Sequence, residues 1–242
     1  MRYGIALLFI IISTAAFAAD YEREKRWADE VEMALVVGDA VYLEAGKHKF
    51  LTVYTEADKA RAAVIVVHGL GVHPNWGLIG RLRSALADNG YTTLSVQMPV
   101  LGAEAKGEDY PPTFPEAAQR LAAAAAFLRG KGYKKIAIVS HSLGSRMTDY
   151  YLVHDPAPGI GAWVAVGMPG GFADSGKLKL PVLDLYGAED FERVRQAAAQ
   201  RAAAIGKIKD SKQIKAPGAD HFFNDKDDAL LGYVKGFLDE TL

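Results

Sequence analysis

The chain of 242 residues is 50% hydrophobic and 24% charged, enough apolar material for one sizeable core and no reason to split it into two domains. Its 28 basic and 29 acidic residues leave a net charge of -1, so no basic surface speaks for nucleic-acid binding. Cysteine is absent, which excludes disulfides, a thiol nucleophile, thiolate metal sites and lipid attachment through a cysteine.

In chain order, residues 1–18 come first and have the three-part layout of a secretory signal. Arg2 is followed by an apolar run over 5–12, and Ala16-Phe17-Ala18 offers small residues for cleavage after Ala18. The competing reading, a membrane anchor, has only residues 3–19 free of charge. That is short of the roughly 20 apolar residues of a spanning helix, and Ser13 and Thr14 interrupt it. A mature protein of one domain over 19–242, periplasmic or extracellular and without a lasting membrane anchor, is the expectation.

Residues 21–35 space Trp27, Val31 and Leu35 four apart, as on one face of a helix. Residues 41–43 and 50–54 are β-rich and flank Gly46-Lys47, which predicts an antiparallel hairpin at one edge of a sheet. The period then changes. Residues 64–67 and 136–139 are unbroken runs of β-branched and apolar side chains, the pattern of strands buried on both faces of a parallel sheet. Residues 92–96, 162–166 and 182–186 are further strand candidates.

Helical patterns fall between them. Residues 78–89 run up to Gly90 as a C-cap. Thr113-Phe114-Pro115-Glu116 has the form of a capping box opening an alanine-rich helix to about Gly130. Residues 142–154 stop before Pro156, and two more helices are read over 191–205 and 226–242. The alanine run 122–126 reads as a helix face lying close to the sheet. Strand and helix in alternation predict a doubly wound α/β sheet, with no internal repeat, low-complexity segment or linker.

The chemistry concentrates where the strand over 136–139 runs into Ser140-His141-Ser142-Leu143-Gly144 and a helix follows. A serine hydroxyl is a weak nucleophile unless it is held exposed beside a base, and a tight strand-to-helix turn holds it so. The crowded turn needs small residues two before and two after the serine, in the usual form G-x-S-x-G. Ser140 departs from the first glycine, and would be strained there only if the turn required positive φ.

Upstream, the strand over 64–67 leads into His68-Gly69-Leu70-Gly71. Downstream, Gly218-Ala219-Asp220-His221-Phe222 precedes the final helix, offering His221 as base. The strand over 182–186 ends in Gly187-Ala188-Glu189-Asp190. A carboxylate there can fix the imidazole tautomer that turns Nε2 toward the serine. Asp190 is preferred because Gly187-Ala188-Glu189-Asp190 resembles a known Gly-x-x-Asp pattern, Glu189 is the reserve, and Asp184 lies within the strand, where it is less able to reach.

These motifs resemble the α/β-hydrolase superfamily over nearly the whole of 19–242. The stretches His73-Pro74-Asn75-Trp76 and Leu94-Ser95-Val96-Gln97-Met98-Pro99-Val100-Leu101 look like a small exported bacterial branch of it. The resemblance implies an eight-stranded, mostly parallel sheet with helices on both faces and the chain order Ser142, Asp190, His221 for the catalytic groups. It implies an oxyanion hole of two backbone N–H groups, matching Leu70 and Leu143. It implies hydrolysis of an ester, thioester or amide, and names no substrate.

The connection over 167–181 is too short for a helical cap domain, which leaves the loop over 100–112 either as the pocket wall or, equally, as a plain solvated connection. An open site would suit a short acyl ester or a chain-like substrate. The remaining histidines read as structural: His141 as a packing or pocket-wall residue, His68 as a local hydrogen-bonder, and His48, His73 and His154 as unremarkable. No His-Glu-x-x-His spacing and no Gly-x-Gly-x-x-Gly fingerprint occur, so no metal and no nucleotide cofactor are expected. Two alternatives stay open: an acyltransferase using the same intermediate, and a non-catalytic exported binding protein on the same fold.

Overall fold

A computed structural model describes residues 19–154 and 156–242. The expected signal sequence, residues 1–18, lies outside the described residues. Helix α1 (Tyr21–Ala34) leads to the hairpin of β1 (Asp39–Ala45) and β2 (His48–Thr55), and β3 (Ala62–Val67) follows. Then come α2 (Gly77–Asp88), β4 (Tyr91–Val96), α3 (Phe114–Gly130), β5 (Ile136–His141), α4 (Leu143–His154) and β6 (Ile160–Val166). The chain ends with β7 (Val182–Gly187), α5 (Glu192–Gln196), α6 (Ala198–Ile205), β8 (Lys212–Ala216) and α7 (Asp227–Thr241).

The eight strands form one sheet in the order β1-β2-β4-β3-β5-β6-β7-β8. β1 and β2 pair antiparallel, as does β2 with β4, and every pair from β4 onward is parallel. The alternation of a two-faced strand is plain along β3. Ala63, Ile65 and Val67 join the core under α3 and α4, while Ala62, Val64 and Val66 join the core under α2 and α7. Within the alanine run, Ala124 and Ala125 are fully buried, which lets α3 lie close to the sheet.

Helix α1 packs Ala28 and Val31 against Leu51 and Val53 of β2. Its other buried residue is Glu24, an acidic side chain that apolar periodicity passes over. Glu24 meets the fully buried Arg120 of α3 at 2.8 Å, and Arg120 also bonds Glu116 and, at 3.0 Å, the Gln97 carbonyl beyond β4. Among the described residues no helix is long and apolar enough to cross a membrane.

Two local expectations are corrected, and one strand had none. The capping box at Thr113 does not form: Pro111–Thr113 already winds as a 3-10 turn, so Thr113 sits inside the helical path and its hydroxyl donates to the Tyr110 carbonyl. Glu116 is drawn instead to Arg120 and to the Tyr21 hydroxyl. The helix expected over 191–205 is two, broken at Ala197, where the Arg201 guanidinium takes the Val194 carbonyl. Finally β8 lacked a sequence signal of its own, because KQIKA is a half-exposed edge strand with a single large apolar residue.

Candidate active site

Ser142 stands between the last residue of β5 and the first of α4 with φ +55°, a left-handed conformation that few residues other than glycine adopt. The Ser142 N–H donates to the Val166 carbonyl of β6 at 2.8 Å, and the Ser145 N–H donates to the Ser142 carbonyl at 3.0 Å. The turn is tight enough that a Cβ at position 144 would lie 2.2 Å from the His68 carbonyl oxygen, so Gly144 lets α4 start against the end of β3.

Ser140 is free of the strain that a positive φ would have placed on it. The positive φ falls on Ser142, while Ser140 remains in the strand with its hydroxyl accepting from Trp163 Nε1 at 2.8 Å and meeting the Ser145 hydroxyl at 3.1 Å. A serine fits because the pocket behind it is polar and satisfied.

The loop after β8 delivers His221 to the same point. Its Nε2 is 2.9 Å from Ser142 Oγ, and its Nδ1 is 2.6 Å from Asp190 Oδ1. A carboxylate only accepts, so the Nδ1–H donates to Asp190 and the Nε2 lone pair faces the serine hydroxyl. Ser142, Asp190 and His221 are 5%, 2% and 3% exposed, which keeps the relay from being screened by water.

Asp190 also accepts from the Phe191 N–H at 2.7 Å and the Gly187 N–H at 3.3 Å, which orient its carboxylate. Gly167, at the end of β6, has φ +58°, and a Cβ there would press on His221 at 3.1 Å and Asp190 at 3.3 Å. Of the alternative carboxylates, Glu189 is exposed, and Asp184 is held by Arg201 at 2.9 Å and by Gln213.

Two histidines support the arrangement from behind. His141 is buried, its Nε2–H donates to the His221 carbonyl at 2.9 Å, and burial holds its pKa down to about 4. This neutral ring holds the backbone of His221, a more specific task than pocket wall. His68 donates from Nδ1 to the Gly69 carbonyl and accepts the Met98 N–H at 2.9 Å, with burial lowering its pKa to about 3. It ties the loop after β3 to the segment after β4, as a local hydrogen-bonder should. His48 stacks on Tyr21, His73 accepts the Asn75 N–H, and His154 bonds back to the Tyr150 carbonyl at the end of α4.

Leu143 begins α4, so its N–H belongs to the first turn of a helix, where donors lack intrahelical partners. Leu70 follows His68-Gly69. Among the described residues neither N–H finds an acceptor, and both residues line the same cleft as Ser142. That cleft holds about 530 Å³, and Gly107, Glu108 and Pro111 form part of its wall, so the loop over 100–112 does border the site.

A second hollow of about 200 Å³ adjoins it on the His221 side. Its aromatic lining was not singled out in the sequence. Phe191 stacks on His221 with centroids 4.2 Å apart, Phe222 meets His221 edge-on at 5.0 Å, and Trp76 meets Phe222 edge-on. For Phe191 and Phe222 the signal in the sequence is their adjacency to Asp190 and His221; Trp76 has none of that kind. Among the described residues no group of three or more His, Cys, Asp or Glu could hold a metal ion.

A family described as a protein of unknown function, DUF3530, matches residues 12–118, a segment that ends before Ser142. No curated protein matches the chain in sequence. Among solved structures, the chain is similar to dienelactone hydrolase from Anabaena variabilis ATCC 29413, with a TM-score of 0.69 at 20% identity over 84% of this chain and 97% of that one. It is similar to XC6422 from Xanthomonas campestris, an α/β serine hydrolase without a lid, with a TM-score of 0.68 at 18% identity over 85% and 95%. It is similar also to Est1E from Butyrivibrio proteoclasticus, with a TM-score of 0.67 at 15% identity over 83% and 98%. With the strand order and the hairpin at the sheet's edge, these likenesses give the conclusion that the chain has the α/β-hydrolase fold.

Proposed function

We propose that this chain is an exported serine hydrolase that cleaves a carboxylic ester, or a thioester or amide, through an acyl-Ser142 intermediate. The observation that carries the reading is the relay of Asp190, His221 and Ser142 at 2.6 and 2.9 Å, beside the Leu70 and Leu143 N–H groups, which have no acceptor among the described residues. The export half rests on residues 1–18 of the sequence. The proposed location is periplasmic or extracellular.

In this mechanism His221 Nε2 takes the hydroxyl proton as Ser142 Oγ bonds to the acyl carbon. The carbonyl oxygen becomes an oxyanion held by the Leu70 and Leu143 N–H groups. Collapse breaks the bond to the leaving oxygen, which receives the proton from His221, and Asp190 stabilises the imidazolium meanwhile. Water then repeats the sequence on the acyl-enzyme and releases the acid. The substrate is an acyl compound, small or chain-like, entering an uncapped cleft.

The wild-type protein should hydrolyse short-chain para-nitrophenyl esters, and Ser142→Ala should lower turnover at least about ten-thousandfold. Full turnover by Ser142→Ala would sink the mechanism.

A further inference from the structure

Ser142 lies where two hollows of unlike chemistry meet. The smaller, about 200 Å³, is lined by Val72, Trp76, Phe191 and Phe222 and includes His221 itself. The larger, about 530 Å³, excludes His221 and extends past Leu143 along α4 toward α5 and α6. Arg146, Gln196 and Gln200 line it on the side of α4, α5 and α6, Arg193 lines both hollows, and the acid among its described lining residues is the exposed Glu108.

The proton path decides which half of an ester lies in which hollow. The leaving oxygen must take its proton from His221 Nε2, so the alcohol half belongs on the His221 side, in the aromatic hollow. The acyl half then points the other way, along α4. Aromatic and branched walls in a space that small suit a ring or a short apolar chain.

The acyl cleft has a different character. Arg61, Arg81, Arg120 and Arg201 are each ion-paired. Arg146 and Arg193 are not ion-paired among the described residues. Arg146 is half-buried and tethered by one donation from Nη1 to the Gly171 carbonyl, which leaves the rest of its planar fork for a ligand. Arg193 is exposed, lies beside Phe191 and stands at the junction of the two hollows. Asp149, three residues on in α4, feels the charge of Arg146 without ion-pairing to it, and two guanidinium groups that border one cleft, neither of them ion-paired among the described residues, can receive an anionic oxygen group through charge-assisted bonds.

We propose that the preferred substrate is an ester of an apolar or aromatic alcohol whose acyl part ends in an anionic group, received between Arg146 and Arg193. This specificity rests on the hydrolase reading of Ser142.

The test compares kcat/KM for the para-nitrophenyl monoester of adipic acid with that for para-nitrophenyl hexanoate, a matched pair of equal acyl length differing in the terminal carboxylate. The wild-type ratio should favour the monoester by about tenfold or more. Arg146→Gln and Arg193→Gln should each draw the ratio toward unity, and Arg193→Glu should invert it. Because Arg146 also holds the Gly171 carbonyl, the exposed Arg193 variants decide the matter if Arg146→Gln folds poorly.

A wild-type ratio of one or less, or a ratio untouched by Arg193→Glu, overturns the proposal. So does a preference for esters that carry the anion on the alcohol instead. Hexanoate turnover that depends on Ser142 while the preference is missing removes only this specificity. Absence of Ser142-dependent turnover of both esters removes the hydrolase reading and the specificity with it.

Discussion

Asp190 with His221, and Glu24 with Arg120, are both hydrogen-bonded pairs of an acidic and a basic side chain sealed inside the molecule, yet their surroundings differ. Arg120 is saturated by its own chain: Glu24, Glu116 and the Gln97 carbonyl consume its donors, and the Val100 N–H donates back to Glu24. It fastens α1 to α3 and to the segment after β4. The pair at Asp190 continues to a Ser142 hydroxyl at the floor of a cleft, on a residue whose backbone is held at positive φ. Burial and charge therefore do not mark a reactive site. Unspent hydrogen-bonding capacity that faces a cleft, together with local strain, does.

The contrast can be broken from either end. Asp190→Asn should keep the fold but permit the wrong imidazole tautomer, lowering kcat by about three to four orders of magnitude. Steady-state kinetics beside a thermal melt would read both, and a loss of stability with activity preserved would reverse the roles assigned here. Arg120→Met should do the opposite. It leaves Glu24 buried without its cation and should cost about 3–5 kcal/mol of unfolding free energy. Ser142-dependent turnover per folded molecule should remain measurable below the lowered melting temperature. A negligible stability change would show that α1 is fastened by its apolar face alone.

A smaller effect sharpens the same comparison through pH. His68 and His141 are bases whose folded pKa values, about 3 and about 4, lie below the ordinary 6.5. Between those limits the unfolded chain binds more protons than the native one, so their contribution is fully present above pH 6.5 and is lost as pH falls toward 4. Each should remove about 1 kcal/mol at one pH unit below 6.5, measured by urea unfolding across that range. Asp149 acts in the opposite sense: burial raises its pKa to about 6, so the native state holds the extra proton and gains stability as pH falls through that value. A urea midpoint that stays level below pH 6.5 in an Asp149→Asn background would show that the two histidines are not held neutral.

How far the sequence speaks depends on whether the information is local. The buried runs of β3 and β5, the turn around Ser142 and the loop carrying His221 were readable because each is a short pattern with one steric or chemical cause. The edge strand β8 was not readable, since a half-exposed strand with a single large apolar residue has no pattern to show. Ser140 illustrates the harder class. Its departure from glycine is explained by Trp163 and Ser145, and the Trp163 bond joins residues 23 positions apart. Glu24 and Arg120 are 96 positions apart, and no periodicity along either helix predicts their meeting. Asp190 was preferred to Glu189 from a local motif, and the geometry that separates them, one inward and one exposed, is set by the turn after β7.

The most direct test of the central claim is covalent labelling with a fluorophosphonate, followed by mass spectrometry of the labelled peptide. An activated hydroxyl at position 142 should give stoichiometric modification on Ser142, strongly slowed in His221→Ala and abolished in Ser142→Ala. Folded wild-type protein that takes no label, or takes it elsewhere at an undiminished rate in Ser142→Ala, would contradict the account.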